Sequence, residues 1–161
     1  MAARKAADDG ARVLILDADA HCGGGAHAIV RDWKHVDHVD VATSAFDGYT
    51  PASSRSTLDV VENTADHLTT IWRRLKAIQP TEYDLVLYGA GVDPFVAEGP
   101  HPIDYEVLAE RETTVFQWSH GRRSRSACLV ATSAPGWIGP ASCACIVSSS
   151  ARRHSPTLAC L

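Results

Sequence analysis

Apolar residues are spaced along the chain in two periods. Val13, Leu14, Ile15 and Leu16 form an unbroken apolar run between Gly10 and the acidic Asp17, and Leu85–Tyr88 forms a second one ahead of Gly89 and Gly91. Runs this short and this apolar read as strands covered on both faces, the habit of a parallel sheet. Val36–Val41 alternates in part and reads as a further strand leaving through Thr43, Ser44 and Phe46. Three- and four-residue steps mark helices elsewhere. Ala26, Ile29, Val30 and Trp33 fit one helical face, and Leu68, Ile71, Trp72 and Leu75 fit another running from about Thr64 to Ile78, closed by Pro80. Residues 104–118 resume helical spacing, and residues 1–10 read as a helix end stopped by Gly10. The stretch from Phe46 to Ser56 has loop chemistry. Strands alternating with helices predict an α/β fold with a parallel sheet, whose functional residues gather at the carboxyl ends of the strands.

Composition divides the chain. All 19 acidic residues and 10 of the 15 basic ones lie in residues 1–118, whereas residues 119–161 hold five Arg and no acid. The reading is one α/β unit over 1–118 and an aberrant or disordered tail over 119–161. The tail carries Cys128, Cys143, Cys145 and Cys160, but a single residue separates Cys143 from Cys145, too close for a zinc knuckle. The formal charge of −4 offers no general attraction for nucleic acid. No apolar run approaches the roughly 18 residues of a membrane span, and residues 1–10 lack the apolar region of a signal peptide. The expectation is therefore a cytoplasmic protein with neither nucleic-acid nor membrane partners.

The chemistry concentrates in Asp17-Ala18-Asp19-Ala20-His21. Alternate residues of an extended strand share a face, so two carboxylates and an imidazole can project together, and a divalent cation is the simplest relief of their repulsion. The alternative is an Asp capping the next helix while His21 bonds to backbone. Gly23-Gly24-Gly25 allows close backbone approach. Asp93 repeats the arrangement at a second strand end, after Gly89 and Gly91. Other residues receive plainer readings: His35, Asp37, His38 and Asp40 on a solvated strand edge, Trp33 and Trp72 in core or half-buried packing, His27 and His67 on exposed helix positions, Arg73, Arg74 and Lys76 on a solvated face. Neither a G-x-S-x-G elbow nor a phosphate-binding glycine fingerprint occurs.

LILDADAHCGGG resembles the D-x-D-x-H-H-G-x-G strand end of histone deacetylases, and YDLVLYGAGVDPFVAEG resembles that family's later strand ending in G-x-D, with Glu98 five positions on. The resemblance covers about residues 10–118. It implies a partial domain of the arginase/deacetylase type, a three-layer parallel sheet. It assigns Asp19, His21 and Asp93 as zinc ligands, and Asp17, with the carbonyls of Asp19 and His21, as the site of a structural monovalent cation such as K+. Cys22 stands where the family usually has a second His. Related manganese ureohydrolases place an Asp two residues after the His; Gly23 there favours a single zinc. The implied substrate is an acetylated amine, an acyl-lysine or acylpolyamine. The family draws a tandem His pair from upstream of this strand, but residues 1–16 contain no His, and its later G-G-Y turn is met only by Pro135-Gly136-Trp137. No catalytic residue can therefore be assigned, and the expected chain is an N-terminally shortened, inactive fragment. A shifted reading frame is one hypothesis for the tail, since CLVATSAPGW can be respelled to contain G-G-Y; nucleotide sequence tests it. Two other classes compete: a non-enzymatic metal-binding remnant and a Rossmann-like nucleotide module.

Overall fold

The computed structural model describes residues 2–91, 104–120, 126–130 and 145–148. Its centre is β1 (Val13–Asp17), flanked by β2 (Val36–Ala42) and β4 (Leu85–Gly89), both parallel to it. Val13 lies against Val36 on one side and Leu85 on the other. β3 (Ser56–Val60) extends the sheet beyond β2, β5 (Ser126–Val130) runs parallel beyond β4, and β6 (Cys145–Ser148) closes that side antiparallel to β5. The order β3-β2-β1-β4-β5-β6 means that the chain winds outward from β1 in one direction, then returns to start again on the other side. The topological switch point falls between β1 and β4, where open α/β sheets hold their ligands.

Alternation along β1 builds two cores. Leu14, Leu16 and Ala18 join Val39, Val41, Val86 and Tyr88 beneath α3 (Thr64–Lys76) and α4 (Tyr105–His120), which contribute Ile71, Leu75 and Val115. Val13, with Ile15 partly buried, faces the other way and meets Val36, Ala3 of α1 (Ala2–Asp8) and Val30 of α2 (Gly24–Val30). The result is the expected three-layer α/β arrangement. Among the described residues no helix is long and apolar enough to cross a membrane.

Several expectations are corrected. β2 is an interior strand, because β3 covers its outer edge; His38 and Asp40 are consequently fully buried. His67 shares the inward face of α3 with Ile71 and Leu75 at four-residue steps, and its Nε2 donates to the Val41 carbonyl at 3.3 Å. Trp72 lies outside that face, 45% exposed, with the Lys76 ammonium over its ring. Trp33 is half-buried against the second core, as expected. Arg73 and Arg74 are not merely solvated, since both pair with Asp59 of β3. α2 ends at Val30 and buries His27, leaving Ile29 exposed. Within the acid-free stretch, residues 126–130 and 145–148 are strands, where the sequence pattern suggests none.

Candidate metal centre

The strand ends at Asp17, so strand alternation does not place Asp19 and His21 beside it as the sequence suggests. The Asp19 amide donates to Asp17 Oδ1 at 3.2 Å and the His21 amide donates to Asp19 Oδ1 at 3.0 Å. These are successive side-chain-to-backbone turns of the kind Asp favours. They coil the segment over the end of the sheet. The alanines between are pinned inward: the Ala18 amide donates to the Gly89 carbonyl, and the Ala20 carbonyl accepts from the Thr43 and Ser44 amides. Ala18 and Ala20 are buried, so larger residues there would have to displace the exits of β4 and β2.

His21 Nδ1 lies 3.4 Å from Asp19 Oδ1, with His21 half-exposed. In a tetrahedral zinc shell with bonds of about 2.0–2.1 Å, neighbouring ligand atoms stand about 3.3 Å apart. The pair therefore already has the spacing of two ligands of one ion. Asp17 sits below, between two glycines whose missing side chains it needs: a Cβ on Gly23 would lie 3.0 Å from Asp17 Oδ2, and one on Gly89 would lie 3.0 Å from Asp17 Oδ1. Asp93 lies outside the described residues. Among the described residues alone, no group of three or more His, Cys, Asp or Glu is arranged to hold a metal.

Helix capping, the competing explanation for these carboxylates, is taken by other residues. Asp47 Oδ2 accepts from the Gly25 amide at 2.9 Å, and Asp40 Oδ2 accepts from the Gly23 amide at 2.7 Å. Asp40 is paired in register with Asp17. Burial pushes its pKa up to about 7; the Gly23 amide opposes the rise and the neighbouring Asp17 charge adds to it.

Behind Asp40, His27 stacks on Tyr49 with ring centroids 4.1 Å apart, and the Tyr49 hydroxyl meets His38 Nδ1 at 3.3 Å. Burial, then the charge of His27, lowers His38 to about 4. His27 is buried, contrary to the exposed position expected of it, because Tyr49 from the loop covers it. Cys22 is buried and donates its thiol to the Ser44 carbonyl at 3.2 Å. Burial, then the charges of Asp40, Asp47 and Asp17, raises its pKa, which keeps it a protonated thiol and a poor nucleophile.

Sequence reasoning passed over Arg111. Its guanidinium is fully buried and donates from Nη1 to the Ala18 carbonyl at 2.7 Å and from Nη2 to the Gly91 carbonyl at 2.9 Å. Carbonyl partners leave no mark in a residue pattern, so nothing in the sequence distinguishes this Arg from a surface one.

Solved structures that share this architecture include the following two. A crystal structure of an HDAC homolog complexed with SAHA superposes with a TM-score of 0.60 at 16% identity, over 73% of this chain and 36% of that one. A crystal structure of an HDAC homolog from Aquifex aeolicus superposes with a TM-score of 0.61 at 16% identity, over 82% of this chain and 39% of that one. The chain thus spans less than half the length of either. No family model and no curated protein matches the sequence. The likeness establishes a partial HDAC-like α/β fold, as the strand-end motifs imply.

Proposed function

We propose that the chain is part of a zinc-dependent, deacetylase-like amidohydrolase acting on acetylated amines such as acyl-lysine or acylpolyamine. The observation that carries this reading is the Asp19–His21 pair, at ligand spacing, over the switch point of an HDAC-like sheet. Asp19, His21 and Asp93 would hold the zinc, and Asp17 with the Asp19 and His21 carbonyls would hold a monovalent cation such as K+. When bound, zinc polarises an amide carbonyl and acidifies a water molecule. Phe46, 71% exposed and edge-on to His21, gives an acyl chain an apolar wall beside the ligands.

Among the described residues around the pair, none is placed as general base or oxyanion donor. His27 and His38 are buried, and the Tyr49 hydroxyl is already engaged by His38 Nδ1 and the Thr57 carbonyl. Losing a base typically costs about 10²–10⁴-fold, and losing an oxyanion donor about 10²–10³-fold. The 161-residue chain is therefore expected to bind zinc while hydrolysing acetyl-lysine peptides near background. The same burial favours the second reading, a metal-binding remnant without enzymatic activity, and turnover separates the two.

Metal analysis of purified protein tests the centre. About one zinc per chain is expected, lost in Asp19→Ala and Asp93→Ala and kept in the exposed His35→Ala. Unchanged zinc in both Asp variants would sink the assignment. Robust, chelator-sensitive turnover of a fluorogenic acetyl-lysine peptide would instead show that a base is present.

A further inference from the structure

We infer that Arg111 is a positioning residue that sets the gap between the two ligand-bearing strand exits, an inference resting on the reading that a metal sits between them. The sheet can no longer do this itself. The bond from the Ala18 amide to the Gly89 carbonyl lies just beyond the last paired residues of β1 and β4, Asp17 and Gly89. Past it the exit of β1 runs on through Ala18 to Asp19 and His21, and that of β4 runs on through Ala90 to Gly91. Arg111 spans them, with Nη1 on Ala18, between Asp17 and Asp19, and Nη2 on Gly91, two residues before Asp93.

The guanidinium is a rigid planar fork, so two carbonyls held by its two ends have their separation prescribed. It is aimed from behind. Glu112 Oε1 accepts from Nε at 2.8 Å and from Nη2 at 2.6 Å, and the same oxygen accepts the Tyr88 hydroxyl at 2.9 Å. Stability alone gives no reason for this choice. A buried ion pair whose two members are both replaced by apolar side chains of similar volume often loses no stability, because desolvating the charges offsets their attraction. An Arg kept in a fully buried place, with both outer nitrogens on carbonyls of the two site segments, is accounted for by geometry at the site.

The experiment compares zinc affinity with folding stability in the full chain and in Arg111→Met, Arg111→Lys and Glu112→Gln. Arg111→Met is expected to bind zinc about 10–100-fold more weakly, the usual effect of removing an outer-shell support, and also to unfold earlier, because Glu112 and the two carbonyls lose their donor. The comparison is therefore made on the folded fraction and checked against Glu112→Gln. Arg111→Lys, which can reach one carbonyl at a time, should retain part of the affinity. Glu112 is half-buried, so Glu112→Gln folds even if the Arg111 variants do not, and its loosened aim should give a smaller loss in the same direction. Unchanged affinity in Glu112→Gln and in whichever Arg111 variants fold overturns the inference alone. An unaltered chain that takes up no zinc overturns the metal reading, and the inference with it.

Discussion

His67 shows burial and protonation opposed within one side chain. Its imidazole is fully buried, with Nε2 on the Val41 carbonyl. Burial, then the charge of Arg111, lowers its pKa from 6.5 to about 4 against the opposing pull of that carbonyl. The unfolded chain takes up the proton first as pH falls, so the contribution of His67 is complete above about 6.5 and is lost progressively towards about 4. His38 acts with the same sign in the same window. Asp40, raised to about 7, acts with the opposite sign, its contribution complete below its ordinary value and lost as pH rises through about 7. His67→Gln retains a donor for Val41 but cannot be protonated. Between pH about 4 and about 6.5 it should reduce the slope of stability against pH by up to about 1.4 kcal/mol per unit, read by urea denaturation. An identical slope in the variant would show that His67 does not titrate with folding. The glycine run gives a second residue-scale test. A Cβ on Gly24 would lie 2.3 Å from the Asp47 carbonyl, whereas one on Gly25 meets nothing nearer than 3.9 Å. Gly24→Ala should destabilise by at least about 1–3 kcal/mol. Gly25→Ala should stabilise by about 0.5–1 kcal/mol, since Ala suits a helix better. Thermal melts that rank the two the other way round would show the Asp47 contact to be yielding.

Elements whose stability is local can be tested one at a time. α3 begins at Asn63, whose Oδ1 accepts from the Asp66 amide at 2.9 Å. Asn63→Ala should cost about 1 kcal/mol, read as a lower denaturation midpoint with unchanged slope. α3 was also plain in the sequence, as were β1 and β4, because apolar period and apolar run are what those elements are made of. β3 was hidden, since its alternation of Leu58 and Val60 with Thr57 and Asp59 is only four residues long and out of step with its burial, Ser56 being buried and Val60 exposed. It holds its place by pairing with β2 and by the Arg73 and Arg74 contacts to Asp59. Its absence from the reading turned β2 into an edge, and that misplaced His38 and Asp40 in solvent. His27 and His67 were misjudged for a related reason: a neutral imidazole with a carbonyl or an aromatic ring to meet is comfortable inside, and pattern alone cannot reveal the partner. The ligand motif itself was legible as residue types. Its conformation was not, because the two Asp turns that coil it replace the strand geometry that alternation suggests.

The whole molecule places these pieces at one seam. The segment leaving β1 carries the Asp19–His21 pair, β4 precedes Asp93 in the chain, and α4 supplies the Arg that ties the two exits. β1 pairs with β2 soon after in the chain, yet its other neighbour, β4, follows only after β3 and α3. Closing that pairing brings together segments about 70 residues apart, a slow, non-local step. Until it happens β1 has a free edge of Val-Leu-Ile-Leu, apolar and rich in unpaired backbone groups. The partly folded chain is then open to strand pairing with another copy of itself. Refolding yield is therefore expected to fall as protein concentration rises, with light scattering appearing before the native signal, whereas a yield independent of concentration would mean that β4 docks as early as β2.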